Sequence, residues 1–433
     1  MLTPRKYKLS ISRRMATLGS RVFSPEPAVR SLIVYNLLQG MYLGYIRIFW
    51  QPWMVSLGIS IAIIGVLESG AGRNGAISGL MQVVGGRFSD RRGRRRLILA
   101  GSGFLIACWL TSASAFFYGS SALVYLAYLL WGLSLLSLPV IDAMMADYIE
   151  TADRSRVYST MLVASFIPGS VTGFLAGQYG GSLSPPLLLV LAAGLETVGF
   201  GLLFAKVRDK GVATVIHRAP VSLKATWEGI TQFRGFFSIF MMDATAWSLG
   251  TGILYALLST RGFTQFEFGV VALTQPIGVV FGTVPGGWLT HRIGARRLLM
   301  ISEILGAFMV LGWAFYPVEP LVPLYGIVWG FAISTWVPAQ FHLSAAMFPE
   351  GRRGEMLGAL ATSVYLVRIA GPIVAAGLYL TFGYPAPMVA GGLAIFATIV
   401  LIRRFLPQDD YAGASALLRN LPIRSARLQS TTP

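Results

Sequence analysis

The sequence predicts an all-α membrane protein with twelve transmembrane helices in two pseudo-symmetric six-helix bundles. Two observations carry that prediction. The 433-residue chain is 55% hydrophobic and only 12% charged, with a mean hydropathy of +0.64, too few charges to cover a soluble protein of this size. In addition, one short motif occurs twice, 201 residues apart. The first copy runs Gly86-Arg87-Phe88-Ser89-Asp90-Arg91-Arg92-Gly93-Arg94-Arg95, the second Gly287-Trp288-Leu289-Thr290-His291-Arg292-Ile293-Gly294-Ala295-Arg296. Gly86 aligns with Gly287, Arg91 with Arg292 and Gly93 with Gly294. A basic loop between two apolar runs, repeated once per half, marks a duplicated helical membrane protein.

The apolar stretches fall near 31–52, 61–86, 97–117, 121–148, 157–177, 186–206, 236–259, 266–288, 298–315, 321–347, 356–380 and 385–403. Each is long enough to cross about 30 Å of hydrocarbon as a helix. Strands with open edges would leave backbone groups unpaired in lipid, so the spans must be helical. The organisation expected is a basic tail over 1–30, a six-helix bundle over 31–206, a linker over 207–235, a second bundle over 236–404 and a tail over 405–433.

The net charge of +17 raises nucleic acid as a partner, and its distribution argues against one. Of the 35 Lys and Arg, only Arg261 falls in loops on one side, and Arg47, Arg73 and Arg368 lie inside spans. All the others gather on the opposite side. That is the positive-inside pattern, which puts both termini and the linker in the cytoplasm of a cell-membrane protein. The basic tails then set topology and meet anionic headgroups of the bilayer.

The first 30 residues do not read as a cleavable signal peptide, because no short apolar core with a small-residue cleavage site follows the basic residues. Cys108 is the only cysteine, and His217, His291 and His342 show no ligand spacing, so no metal or cofactor is expected. Neither a Gly-rich phosphate loop nor a nucleophile elbow is present, which argues against an enzyme.

The motif around Asp90 resembles the signature loop of the major facilitator superfamily: Gly, a short spacer, an acidic residue, Arg, any residue, Gly, then paired Arg. The second copy matches in part, with His291 where Asp is usual. The resemblance implies six-helix halves rocking around a central site, and hence a secondary transporter of a small solute. It also implies a latch at the cytoplasmic side built on Asp90. Gly86 and Gly93 permit tight turning, while Asp90, Arg91 and Arg94 can pair with the acids near the end of the fourth span, Asp147 and Glu150. Arg292 is the equivalent in the second copy. Such exposed pairs contribute only about 0.2–1 kcal/mol each, which suits a latch that reopens. Two departures matter. Tyr128 stands where many members carry Arg four residues before Gly132, and the fifth span has Pro168-Gly169 in the reverse of the exporters' order.

Ionisable residues inside spans are costly and mark functional positions. Arg73 and Arg368 both fall near the midplane, about 18 Å into their spans at 1.5 Å per residue. The resemblance places their helices, the second and eleventh, face to face across the halves. Two guanidiniums there would hold a carboxylate, phosphate or sulfonate. The alternative is that each pairs with a buried acid and holds helices together. Asn36, Gln39 and Arg47 form one polar stripe on the first span that belongs on the cavity side. Trp131 and Trp247 complete the substrate-binding set.

Asp142, Asp243 and His342 lie within about one turn of a common depth on spans four, seven and ten, which line the cavity in the family resembled. With Glu68 they form the proton-coupling set, since carboxyl and imidazole groups in a dehydrated cavity can carry protons. Trp336 and Gln340 occupy a different face of the tenth span from His342, so only one of those faces meets the cavity. Glu68 lies about 140° around the helix from Arg73 and is not its same-face partner. Glu196 reads as a structural hydrogen-bonding group, and Glu303, near a span end, as a residue reaching headgroups. Trp50, Trp53 and Tyr118 read as interfacial belt residues.

The function expected is secondary active transport of a small, anionic organic solute by alternating access, coupled to protons, in a monomer. Two alternatives stand beside it. One is a proton-driven exporter of amphipathic drugs, favoured by the aromatic-rich spans. The other is a transport-inactive receptor or scaffold with the same fold.

Overall fold

The computed structural model describes residues 27–148, 154–180, 182–209, 227, 230–348 and 353–406. The first half comprises α1 (Pro27–Ser56), α2 (Ile61–Gly70), α3 (Ala76–Arg92), α4 (Arg94–Tyr118), α5 (Ser121–Ser134), α6 (Leu138–Tyr148), α7 (Arg154–Gln178) and α8 (Pro185–Lys206). The second comprises α9 (Arg234–Thr251), α10 (Leu254–Thr260), α11 (Gln265–Ile293), α12 (Ala295–Phe315), α13 (Val322–Met347), α14 (Arg353–Phe382) and α15 (Ala386–Phe405). These helices stack into twelve spans. Each half makes an even number of crossings, so residues 27, 206, 234 and 405 reach one end of the molecule, called here the terminal end.

Three spans that read as continuous apolar runs are broken. The second consists of α2 and α3, interrupted over Ala71-Gly72-Arg73-Asn74-Gly75, where two glycines withdraw helix propensity next to two polar side chains. The seventh consists of α9 and α10, interrupted around Gly252. In the fourth, a 3-10 turn at Leu135–Ser137 joins α5 to α6. Pro139 lies four residues after Leu135 and has no N–H for its carbonyl, so the turn tightens there. Among the described residues, eight spans carry a window long and apolar enough to cross a membrane; the first, second, fifth and seventh fall short of it. Of these, the second and seventh are broken and the first bears the polar stripe.

Duplication is visible in the packing. In the first half α1 packs on α7 and α8, and α4 on α8; in the second, α9 packs on α14 and α15, and α12 on α15. The repeated loops are equivalent in backbone as well. Gly93 joins α3 to α4 at φ 88°, ψ 140°, and Gly294 joins α11 to α12 at φ 89°, ψ 148°. Both lie in a positive-φ region that a side chain would strain.

Between the halves, α7 packs on α11, α2 on α14 and α10 on α1. The α7–α11 contact is made by glycines at the end opposite the termini: a Cβ on Gly177 would stand 2.6 Å from the Gly269 Cα. Small residues let two backbones approach to van der Waals distance where lipid offers no hydrophobic drive. Gln51 ties two breaks together at the same end. Its amide N–H donates to Glu68 (3.0 Å) and to the Gly252 carbonyl (2.9 Å), while its oxygen accepts from the Ala256 N–H (3.2 Å).

Trp50 and Trp53 correct the belt reading. They are 3% and 4% exposed, packed in the core with Trp109, Tyr128 and Phe116, whereas Tyr118 is 73% exposed. A tryptophan near a span end reads the same in sequence whether its face meets lipid or a neighbouring helix.

Candidate substrate cavity between the halves

A cavity runs between the two halves in two lobes of about 440 and 380 Å3. The larger lies mainly against the second half and includes Glu68, Asp243, Trp247, Trp329, Trp336, Gln340 and Arg368 in its wall. The smaller lies against the first half and includes Asn36, Gln39, Trp131 and Phe166. Arg47, Arg73 and Gln275 line both, so two arginines stand where the lobes meet.

A helix break puts one of them there and a continuous helix the other. Arg73 sits in the interruption between α2 and α3, whose backbone is held by Ser78 Oγ donating to the Gly72 carbonyl (2.7 Å) and by Tyr365 Oη donating to the Arg73 carbonyl (3.0 Å). Arg47 projects from α1, donates to Gln275 Oε1 across the halves (3.1 Å) and lies 5.9 Å from the centre of the Phe166 ring. Arg47 acts on Arg73 electrostatically and repels it. Among the described residues no carboxylate bonds either guanidinium. Glu68, which shares the wall, is engaged by Gln51 and by Tyr128 Oη (2.9 Å). Two cations lining the same cavity, without an acid bonded to either among the described residues, favour an anion there.

Two buried carboxyl nodes flank the cavity. In the first half Glu196, fully buried, accepts from Tyr35 Oη (2.8 Å), Tyr42 Oη (2.6 Å) and Ser102 Oγ. Three hydroxyl donors leave this carboxylate satisfied and fixed. In the second half Asp243 and Glu303 are 6% and 1% exposed and their side chains meet. Trp247 and Arg368 share the cavity wall with Asp243, and Arg368 acts on it electrostatically. Among the described residues neither oxygen of Glu303 receives a donor.

Glu303 overturns the headgroup reading. Its helix begins at Ala295, three residues before the apolar run suggested, which carries Glu303 as deep in α12 as Asp243 lies in α9. His342 is not in the cavity wall, to which the tenth span contributes the face that runs from Trp329 through Trp336 to Gln340. The side chains of Asp90, Arg91, Asp142 and Asp147, like Glu150 itself, lie outside the described residues.

The terminal-end loops that are described hold each half together internally. Arg94 and Arg95 donate their backbone N–H groups to Asp209 Oδ1 (2.8 and 2.9 Å), capping α4 with a carboxylate. Arg94 Nη1 donates to the Ala143 carbonyl of α6 (2.6 Å). Arg95 donates to the Phe204 carbonyl near the end of α8, and the repeat-equivalent Arg296 donates to the Arg403 carbonyl near the end of α15 (2.8 Å). The paired arginines thus close helix C-termini, where carbonyls lack intrahelical partners. Gly86 lies in α3 with open space where a Cβ would be, and Arg292 is exposed in the last turn of α11.

Two pseudo-symmetric bundles around a central cavity lined by aromatic and charged side chains, closed at one end by helix contacts, define a carrier that moves a solute by rearranging its halves. The sequence profile of the Major Facilitator Superfamily matches residues 32–235 and again 235–419. The chain belongs to that superfamily and is a multi-pass secondary transporter of small molecules, not an enzyme. It is 25% identical to the class D tetracycline resistance protein of Salmonella ordonez, over 82% of this chain and 90% of that one. It is 26% identical to the gallate transporter of Pseudomonas putida, over 87% and 88%. In fold it is similar to a mutant of the nucleoside transporter NupG, with a TM-score of 0.72 at 16% identity over 88% and 99% of the two chains.

Proposed function

We propose that this protein carries a small organic anion across the cell membrane by alternating access, coupled to protons and acting as a monomer. The observation that carries this reading is the Arg47–Arg73 pair at the meeting of the two lobes, with no acid bonded to either among the described residues. The walls around it, with Trp131, Trp247, Trp329 and Trp336, suit an aromatic or apolar body behind the anionic group. Gallate, for which one of the relatives is named, is a carboxylate of that kind.

A thermal-shift series on the purified protein tests this, with benzoate, phenyl phosphate, phenyltrimethylammonium and benzyl alcohol as probes. A ligand that binds the folded state raises Tm by mass action. The two anions are expected to raise Tm and the cation is not. A larger shift with phenyltrimethylammonium would favour the second reading, an exporter of amphipathic drugs, which the aromatic lining and the relative named for tetracycline resistance support.

The positive-inside pattern puts the terminal end in the cytoplasm. With Cys108 buried and silent, a cysteine at Lys210 should react with an impermeant maleimide only from the cytoplasm, and one at Arg261 only from outside. The reverse result would invert the topology.

A further inference from the structure

We propose that Asp243 and Glu303 form a carboxyl pair that shares one proton, and that uptake of a second proton by this pair releases Arg368 to an anionic substrate. The proposal rests on the organic-anion reading above for its substrate and on independent geometry for its proton site.

The duplication supplies the geometry. Asp243 stands 201 residues after Tyr42, and Glu303 stands 201 residues after Ser102. Tyr42 and Ser102 are two of the hydroxyl donors that satisfy Glu196 in the first half. The corresponding place in the second half therefore carries two carboxyls where the first carries two hydroxyls facing one carboxyl. Two ionised carboxylates cannot stay in contact away from water, and among the described residues no donor reaches either oxygen of Glu303. A proton between the two acids satisfies both, as in other carboxyl pairs that share one.

Access is one-sided. Asp243 lines the cavity, whereas Glu303 lies behind it, so protons reach the pair through Asp243. Two charged groups act on Asp243, namely Glu303 from α12 and Arg368 from α14. Among the other titratable groups of the surrounding helices, Tyr255 of α10 lines the cavity, and Tyr365 of α14 bonds the Arg73 and Gly75 carbonyls. His342 of α13 is outside the cavity wall, and Arg403 and Arg404 occupy the last turn of α15.

The charge balance is simple. With one shared proton the pair carries one negative charge, which Arg368 offsets. A proton entering from the cavity gives two neutral carboxyls and leaves the guanidinium positive, with no heavy-atom bond made or broken. A monoanion entering the cavity then restores neutrality. Proton and anion favour each other's binding by the same factor, in a ratio of one to one.

The test uses the full chain in phosphatidylcholine vesicles. Infrared difference spectra between acidic and neutral pH should show a carboxyl C=O band that grows on acidification. Glu303→Gln and Asp243→Asn should each remove that change. Benzoate affinity should improve about tenfold from neutral to acidic pH in the parent, within the usual range of such couplings, and should lose its pH dependence in Asp243→Asn. A parent spectrum without a titrating carboxyl band, or a band unchanged in both variants, overturns the pair and needs no transport assay. Benzoate binding that is pH-independent in the parent overturns the link to Arg368. If the band behaves as expected but benzoate fails to bind at either pH, the proton site stands, and the anion reading and its coupling fall together.

Discussion

Replacing Arg73 by Gln is expected to weaken benzoate binding about ten- to hundredfold while leaving the unliganded protein as stable as the parent or slightly more so. The loss follows from one charge-assisted contact, worth about 1.5–3 kcal/mol. The stability follows from the position of the side chain. Arg73 bonds no acid among the described residues, and the charge beside it is Arg47 of the same sign. Removing it relieves a repulsion instead of orphaning a carboxylate. An arginine that merely held helices together would behave in the opposite way, because its loss would leave a buried acid uncompensated. Arg73→Lys should recover part of the affinity, since it keeps the charge and loses the planar fork. Isothermal titration with benzoate and a melting curve without ligand separate the two cases. Unchanged affinity with a lowered Tm would assign Arg73 to structure and move the drug-exporter reading ahead.

Much of this arrangement is legible in the sequence for a physical reason. Hydrocarbon forces long apolar helices, and a duplicated loop fixes their number and pairing, so the twelve spans and the two halves follow from composition and from Gly86–Arg95 and Gly287–Arg296. Helical periodicity also places Asn36, Gln39 and Arg47 on one stripe of α1, and all three line the cavity. What periodicity cannot see is where a span stops being a helix. The break over 71–75 takes Arg73 out of the helix at the cavity that Arg47 also lines, and a continuous helix through the same residues would have directed it by simple rotation.

Glu303 was illegible for a different reason. A carboxylate near the start of an apolar run reads as one that reaches water, and only the earlier helix start at Ala295 and the contact with α9 residues bury it against Asp243. One sequence signal did point to it. At the 201-residue offset Tyr42 and Ser102 both map onto acids, and a pair of acids at two repeat-equivalent positions is a reason to expect them to meet.

Substituting Gly177 by Leu is expected to abolish transport while sparing benzoate binding. Gly177 lies at the end of α7 opposite the termini, where its added Cβ would stand 2.6 Å from the Gly269 Cα and 2.7 Å from the Gln265 carbonyl of α11. Both obstacles are backbone, so no side chain can swing aside, and a leucine fits only if α7 and α11 separate. That contact is one of those closing the cavity at this end, together with the Gln51 bridge between the breaks of the second and seventh spans. Alternating access requires each end to close in turn, so a protein wedged open at one end can bind a solute and cannot deliver it. The Arg47–Arg73 pair is on other elements and stays available. A cysteine at Thr251, which lines the cavity, reports the state. In the Gly177→Leu background it should react with an impermeant maleimide added from the side opposite the termini, and in the Gly177 background it should react far more slowly. Gly177→Ala, with the smallest possible wedge, should fall between the two. Uptake at the parental rate in Gly177→Leu, or no gain in labelling of the Thr251 position, would show that this end does not close through the glycine contact.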